Sequence, residues 1–345
     1  VFNSGNCNDW FEGIEGEESM RLGKSDIETK PIGLGCWAIG GQFRDMGAAA
    51  GWGDVEDSVS RKALNTGLEM GVQLLDTANI YGAGHSEKLI GQVMKGKRDK
   101  VIVATKFGIL CDEGKKCTTG HISDRDDIRK SCDESLRRLG TDYIDIFHFH
   151  LGDFQPDDAV WVRDALEDLV KEGKIRYYGW STQDTERARI FAEGEHCISM
   201  EFAENVMEDN PEMRFFCSES KLCAICRTPL AMGLLTGKYN SGSVFGQGDL
   251  RGKDAPPWMN YYINGKPNEV FLKKLEAIRE ILTSEGRTLA QGCIAWIWGM
   301  DSNCMPIPGF KNEKQVVENL SALEYGPLKE KEVIQIRNIL EKEEN

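Results

Sequence analysis

The segment Leu74–Gly82 holds a carboxylate and a phenol five residues apart, at the end of an apolar run. Asp76 ends the run, and Tyr81 precedes a glycine-rich turn. A phenol beside a carbonyl group can donate its proton to the carbonyl oxygen. Since a free tyrosine has a pKa near ~10, efficient proton transfer at neutral pH requires a cation close to the phenol. Tyr81 is therefore a candidate general acid, and its cation has to come from elsewhere in the chain.

Two later apolar segments each carry a residue that suits this chemistry. Lys106 interrupts one run, and a buried ammonium group needs a partner, for which Asp76 is suited. His150 ends the next run and can donate a hydrogen bond to the same carbonyl oxygen, whereas we expect His148 to be packed inside the fold. Lys106, held by Asp76, is expected to lower the pKa of Tyr81. Because none of these residues supplies electrons, a bound hydride carrier is expected.

Eight apolar runs alternate with amphipathic segments, which predicts alternating strands and helices. The runs are nearly continuous, as in parallel strands covered on both faces. We therefore predict an α/β fold, a (β/α)8 TIM barrel with an N-terminal hairpin and extra C-terminal helices, in which strand ends carry the site. The alternative is a doubly wound sheet, but the GxGxxG fingerprint is absent after the first run. The predicted strands are 33–37, 72–77, 101–107, 143–150, 175–181, 197–202, 222–229 and 305–309.

Composition limits the possible partners and the compartment. The chain has 345 residues, with 42 basic against 56 acidic side chains and a net charge of −14, which disfavours nucleic acid or an anionic membrane as the main partner. We expect residues 1–19 to be a tail of unknown origin and 20–345 to form a single barrel domain. No apolar run is long enough to span a membrane. The 11 cysteines are expected to be free thiols in the cytoplasm; a zinc site at Cys111, Cys117 and His121 is the alternative.

Several motifs together resemble the aldo-keto reductase family, in unbroken order over roughly residues 20 to 325. In that family the barrel binds NADPH, and less often NADH, and Tyr81 would be the general acid of a tetrad completed by Asp76, Lys106 and His150. The resemblance thus implies an oxidoreductase that interconverts an aldehyde or ketone with an alcohol. The motifs are Asp76–Gly82, Ala104–Lys106, Asp145–His150, Gly173–Arg176, Pro229–Tyr239 and Ile307–Lys311.

The resemblance also implies where the cofactor lies. NADPH is expected rather than NADH, because Lys311 stands where the family meets the 2′-phosphate, just before a helix whose N-terminus favours an anion. Lys238 and Arg251 begin a long loop that resembles the segment folding over the pyrophosphate. The implied cofactor residues are Cys36, Trp37, Gln42, Asp76, Ser181, Thr182, Glu201, Arg227, Thr228, Pro229, Leu230, Ala231, Lys238, Arg251, Gly309, Lys311, Gln315, Glu318 and Asn319.

Three positions depart from the family pattern around the nicotinamide. Thr182 replaces an expected asparagine, Glu201 an expected glutamine, and Arg227 precedes Thr228 where an aromatic residue is usual. An acidic side chain can accept a hydrogen bond from an amide, and an arginine plane can stack on a ring. A changed cofactor preference or weaker binding would follow from these substitutions.

The substrate is expected to be a small carbonyl, sugar or alcohol. Trp52, Phe107 and Trp180 are predicted to line its pocket with aromatic faces that suit a sugar ring or an aromatic carbonyl equally. One alternative function is a cofactor-bound regulatory subunit like the β-subunits of potassium channels, which carry asparagine where this chain has His150. Another is a metal-dependent hydrolase that uses Asp76, His148 and His150. No metal is expected, and the oligomeric state stays open.

Overall fold

The computed structural model describes residues 19–246, 248–253, 255–256 and 258–342 of the chain. The predicted tail, residues 1–19, therefore lies outside the described residues apart from its last position. The described residues contain every helix and strand discussed below.

Eight parallel strands form one sheet whose spatial order follows the chain order. The ends of the sheet meet, because Gly33 N donates to Pro306 O at 3.0 Å and Gly35 N donates to Pro308 O at 3.1 Å. This closure and the parallel order confirm the predicted (β/α)8 barrel. The strands are β1 Leu34–Gly35, β2 Leu74–Asp76, β3 Ile102–Phe107, β4 Ile144–Phe149, β5 Ile175–Ser181, β6 Cys197–Ala203, β7 Cys223–Arg227 and β8 Cys304–Pro306.

Helices follow the strands and cover the outside of the barrel. Two helices, α7 and α8, separate β7 from β8, and α10 packs on both of them as the extra C-terminal helix. None of the helices that the structure describes is both long enough and apolar enough to cross a membrane. The helices are α1 Asp57–Glu69, α2 His85–Val93, α3 Arg125–Leu139, α4 Pro156–Lys171, α5 Thr185–Ala192, α6 Pro211–Glu219, α7 Glu269–Leu282, α8 Leu289–Met300, α9 Glu313–Leu320 and α10 Glu330–Lys342.

Side chains on each strand alternate between the barrel interior and the layer under the helices. On β3, Ile102 and Ala104 belong to the inner apolar cluster, whereas Val103 and Phe107 belong to the outer one. Lys106 has the parity of Ala104 and therefore points inward. This alternation decides which strand residues can reach the site.

A short hairpin closes the amino-terminal end of the barrel, as predicted. Met20–Arg21 pairs with Glu28–Thr29, and the turn between them places Leu22 and Ile27 in the inner apolar cluster. The opposite end, where the strands terminate, is left for the site.

The region after β3 is more ordered than its polar sequence indicates. Ile109–Asp112 pairs with Cys117–His121, and this hairpin continues into Arg44–Asp45 and Ala48–Ala49 as a second, four-stranded sheet. In the hairpin Cys117 pairs with Asp112, whereas His121 pairs with Ile109 near the other end. The described part of the chain has no shared metal position at Cys111, Cys117 and His121, so the alternative zinc site was a wrong interpretation.

Candidate active site

A cavity of about 680 Å³ opens at the carboxyl ends of the strands. Most residues predicted from the sequence to bind cofactor or substrate lie on its wall. Their side chains come from β2, β5, β6 and β7 and from the loops that follow the strands. The predicted residues that line it are Trp37, Trp52, Asp76, Tyr81, His150, Ser181, Glu201, Arg227, Thr228, Pro229, Leu230, Lys238, Arg251, Gly309, Lys311, Gln315, Glu318 and Asn319.

The loop that carries Tyr81 is fixed by two close glycine contacts. Gly82 has a φ of 63°, and a Cβ there would lie 1.9 Å from Gly40 O. A Cβ on Gly40 would in turn lie 2.6 Å from the carbonyl carbon of Tyr81. The indole of Trp37 stacks on the phenol ring at a centroid distance of 5.5 Å. Backbone contact and stacking therefore position the candidate acid.

Lys106 is held by the end of β2. Its Nζ donates to Asp76 Oδ1 at 2.6 Å, to Asp76 Oδ2 at 2.8 Å and to Thr77 O at 3.0 Å. The same Nζ lies 5.3 Å from the centre of the Tyr81 ring and 3.2 Å from Glu201 Oε2. The lysine side chain is fully buried. The predicted Asp76–Lys106 pair is thus present, and its ammonium lies beside the Tyr81 ring.

Burial dominates the electrostatics of Tyr81. It raises the pKa of Tyr81 above its ordinary value, and the opposing influence of Lys106 is smaller. The prediction that Lys106 lowers the pKa is therefore correct for the lysine alone but wrong for the net direction. For Lys106 itself, burial alone would lower the pKa, yet Asp76 and Glu201 raise it overall, so the ammonium stays charged.

The two histidines of β4 and its end have different surroundings. His150 lies edge-on to Tyr81, with ring centroids 6.3 Å apart at 84°. Burial and the Lys106 charge lower the pKa of His150 to about 3, so its ring is neutral at neutral pH and can donate one N–H. His148 is fully buried and packed as expected, with Nε2 2.8 Å from Ser199 Oγ.

The other end of the cavity is basic. Lys238, Arg251 and Lys311 line it, and burial together with Arg251 and Lys238 lowers the pKa of Lys311. Lys311 Nζ donates to Trp52 O at 2.7 Å. Asp249 forms an ion pair with Arg251 at 2.7 Å. Positive side chains thus outnumber the negative one at this end, which favours an anionic ligand.

A strap formed by residues 249–251 crosses to the loop after β1. Leu250 N donates to Gly51 O at 2.9 Å, and Asp249 forms a backbone bridge with Trp52. The Arg251 guanidinium lies 4.8 Å from the Trp52 ring centre. The strap therefore closes one side of the basic end.

Helix α9 begins beside Lys311. Asn312 caps it, its side chain accepting from Gln315 N, and Gln315 Oε1 accepts from Lys311 N at 2.7 Å. Asn319 Nδ2 donates to Gly309 O at 3.3 Å. These bonds fix the backbone after β8 at the cavity wall.

Four predicted cofactor residues do not line the cavity with their side chains. Cys36 has the outward parity of Leu34, and Ala231 is buried in the outer cluster. Thr182 Oγ1 donates to Gly152 O at 2.7 Å, while Gln42 donates to Asp54 at 2.8 Å in the outer loop. The prediction that these four side chains contact the cofactor is corrected accordingly.

The two aromatic residues predicted from the strands are also misplaced. Phe107 is fully buried and stacks on Phe147 at 4.4 Å. Trp180 is fully buried too, against Phe191 at 4.6 Å. Because Lys106 and Ser181 point inward, their neighbours on the strand must point outward. The prediction of these two pocket residues was wrong, and strand parity gives the reason.

Several cavity residues were missed. They come from the small second sheet, from the loop after β5 and from the segment after the strap, where no strand period marks a direction. A cluster of aromatic and polar residues at 258–261 was the only signal for the last group. The missed residues include Asp45, Gln183, Trp258, Asn260 and Tyr261.

One group of donor atoms among the described residues is close enough to share a metal ion, namely Asp76, His148 and Glu201. The Lys106 ammonium already lies against both carboxylates, at 2.6 Å and 3.2 Å. The Lys106 ammonium therefore already supplies the positive charge that a metal ion would bring to these carboxylates.

Comparisons with known proteins agree with this geometry. A model of the aldo/keto reductase family matches residues 31–341. Aldo-keto reductase yakc of Schizosaccharomyces pombe, with NADP(+) in its name, is 32% identical over 88% of this chain and 87% of its own. Aldo-keto reductase YhdN of Bacillus subtilis is 30% identical, covering 94% of each chain. The structure of a glycerol dehydrogenase from Gluconobacter oxydans superposes with a TM-score of 0.78 at 26% identity, covering 95% of this chain and 96% of its own.

The family match spans nearly the whole chain, and the relatives are named as reductases and a dehydrogenase. These findings favour an enzyme over the regulatory-subunit and hydrolase alternatives. The chain belongs to the aldo/keto reductase family and is an oxidoreductase.

Proposed function

We propose that this enzyme interconverts a carbonyl compound and an alcohol with a nicotinamide cofactor, NADPH rather than NADH, and that Tyr81 transfers the proton. The observation that carries the proposal is one continuous cavity. Tyr81 and His150 line one part of it, and Lys238, Arg251 and Lys311 line another.

The cavity wall fits such a cofactor. Three of its polar atoms are buried and have no partner: Trp52 Nε1, His150 Nδ1 and Thr228 Oγ1. Buried polar atoms are normally hydrogen-bonded, so this wall suits a polar ligand. Glu201 and Thr228 would hold the amide of the nicotinamide, and the basic end would hold phosphate groups.

The residues of this chain divide the chemistry among them. The bound cofactor supplies the hydride. Tyr81 donates the proton to the carbonyl oxygen, and the Lys106 ammonium stabilises the phenolate that remains. His150, which is neutral, donates a hydrogen bond to the same oxygen and orients it. Asp76 keeps Lys106 in place, and Trp37 excludes water from one face of Tyr81.

Three tryptophans, Trp37, Trp52 and Trp258, surround the part of the cavity beside Tyr81. Asp45 and Asn260 add polar groups to the same wall. Flat aromatic faces with polar neighbours suit a sugar, a polyol or an aromatic carbonyl. We therefore propose a small molecule of this kind as substrate; one structural relative is named a glycerol dehydrogenase.

A fluorescence titration of the full chain with NADPH and with NADH tests the cofactor first. Tighter binding of NADPH is expected because Lys311 stands at the basic end. Equal or tighter binding of NADH would contradict the assignment of Lys311. A screen of aldehydes, ketoses and sugar alcohols with the preferred cofactor then tests the reaction, and no turnover of any of them would contradict the proposed activity.

A further inference from the structure

Three buried charged side chains, Asp76, Lys106 and Glu201, form one cluster beside Tyr81. The Lys106 Nζ lies 2.6 Å from Asp76 Oδ1 and 3.2 Å from Glu201 Oε2, and all three side chains are at most 4% exposed. Glu201 belongs to the cluster because its position on β6 points into the barrel. One ammonium therefore faces two carboxyl groups, which leaves an unbalanced negative charge when both are ionised.

A carboxyl oxygen of Asp76 and one of Glu201 lie within 4.8 Å of each other, and both groups contact the same ammonium. A proton on one of the two groups would remove one negative charge and allow that group to donate to the other, because an ionised carboxylate can only accept. Two ionised carboxylates at this distance in a dry site repel each other strongly. The Lys106 ammonium that faces Glu201 Oε2 at 3.2 Å also donates to both carboxyl oxygens of Asp76, so the two acids share one cation.

The neighbouring elements do not supply a second buried cation. His148 Nδ1, on β4, lies 3.7 Å from Glu201 Oε2, but burial lowers the pKa of His148 to about 4 and that of His150 to about 3. Arg227 on β7 is only partly buried, so solvent screens its charge. The remaining titratable groups that face the cluster are two weak acids, the Cys36 thiol and the Tyr81 phenol, and neither carries a positive charge.

We propose that Glu201 is a positioning residue that shares one proton with Asp76, so that the Asp76–Lys106–Glu201 cluster is neutral with this proton and negative without it. The family resemblance implies glutamine at this position, and an amide can neither hold nor release such a proton. Solvent in the cavity that Glu201 lines would take up the proton when it leaves.

The shared proton controls the charge around Tyr81. Burial and the Glu201 carboxylate raise the pKa of Asp76 to about 8, although the Lys106 ammonium opposes both. Once the pair is fully ionised, both carboxylates raise the pKa of Tyr81 and weaken it as an acid. This consequence rests on the proposed function of Tyr81, whereas the shared proton itself does not.

Urea unfolding of the full chain without cofactor tests the pair directly, by comparing the wild type with Glu201→Gln. The folded wild type holds one proton that the unfolded chain has released, so its stability falls as pH rises towards about 8. The ratio of the wild-type to the variant unfolding constant should grow about tenfold for each pH unit between about pH 5 and pH 8, then level off. A constant ratio would overturn the proposal.

Glu204→Gln is the matched control, because Glu204 is buried directly after the same strand but pairs with Arg214 at 2.8 Å, away from the cluster. Its pKa is raised by burial to about 7, so its own effect on stability ends near that pH. The Glu201→Gln variant should also move the alkaline limb of kcat for carbonyl reduction to higher pH, while Glu204→Gln leaves that limb in place. The alkaline limb of kcat could stay in place in Glu201→Gln while the ratio of unfolding constants changes with pH as expected. That result would refute the effect of the pair on Tyr81 but would still support the shared proton.

Infrared spectra of the Glu204→Gln protein decide the matter if the Glu201→Gln protein does not fold. Absorption by a protonated carboxyl group should persist at neutral pH and disappear as pH passes about 8. Its absence at neutral pH would show that both carboxyl groups are ionised and would overturn the proposal.

Discussion

The indole of Trp37 stacks on the phenol ring of Tyr81, with ring centres 5.5 Å apart and planes inclined by 17°. Trp37 also donates through Nε1 to Ala50 O at 3.2 Å, which ties the stack to the second sheet. The indole thus fixes the phenol ring, while the close approach of Gly40 fixes the Tyr81 backbone. The orientation of the proposed proton donor therefore depends on a residue that carries no catalytic group.

Replacement of Trp37 by alanine should lower kcat because the Tyr81 ring loses its stacking partner. An aromatic pair contributes roughly 0.5–1.5 kcal/mol, which corresponds to about 2- to 12-fold in kcat if the full amount is lost in the transition state. Steady-state kinetics with one aldehyde would measure this. Trp37→Phe retains a stacking face and should recover most of the loss; equal defects in both variants would contradict the stacking role.

Replacement of Gly82 by alanine should displace the Tyr81 loop. Its Cβ would lie 1.9 Å from Gly40 O, in addition to the strain of a φ of 63°. Gly140 has a φ of 65° and no atom within 4 Å of an added Cβ, so Gly140→Ala carries the strain alone, about 1–3 kcal/mol. The midpoint temperature of thermal unfolding and kcat should both fall further for Gly82→Ala than for this control. Equal stability and unchanged kcat would show that the contact is unimportant.

Lys311→Ala should weaken NADPH binding more than NADH binding. A hydrogen bond to a charged group contributes roughly 1.5–3 kcal/mol, or about 10- to 150-fold in Kd. Fluorescence titrations with both cofactors measure the difference. Lys314 is exposed in α9, which begins just after Lys311, and does not line the cavity, so Lys314→Ala should bind both cofactors as the wild type does. A parallel loss for both cofactors in Lys311→Ala would argue against a 2′-phosphate contact.

The buried His148 should make the protein less stable in acid. Burial lowers its pKa from 6.5 to about 4, so below 6.5 the unfolded chain binds a proton that the folded chain excludes. This contribution is complete above pH 6.5 and is lost as pH falls, with the unfolding constant rising about tenfold for each pH unit towards pH 4. Urea unfolding should show a weaker acid dependence in His148→Asn. The exposed His121 serves as the control, and an identical change in His121→Asn would refute the assignment.

The sequence was sufficient to predict the barrel because eight apolar runs required cover on both faces. It was also sufficient to predict that Asp76, Lys106 and His150 lie close together, since they stand at the ends of strands that are neighbours in chain order. The alternation of side chains between the two faces of a strand can also be read from the sequence. Applied to β3 and β5, it places Phe107 and Trp180 outside the barrel, so the prediction of these two as pocket residues was avoidable.

Other features could not be predicted from local patterns. The second sheet depends on pairing between Arg44 and Cys117, which are far apart in the chain. The contact between Glu201 and Lys106 depends on the closure of the barrel. The net pKa direction of Tyr81 depends on how completely the fold buries it, which residue types alone do not determine.

The proposed proton transfer by Tyr81 is tested by the Tyr81→Phe substitution. The substitution keeps the ring and its stack on Trp37 but removes the acid. We expect kcat for carbonyl reduction to fall roughly 100- to 10,000-fold while the Kd for NADPH changes by less than about twofold. Turnover within about twofold of the wild type, with the cofactor still bound, would contradict the account.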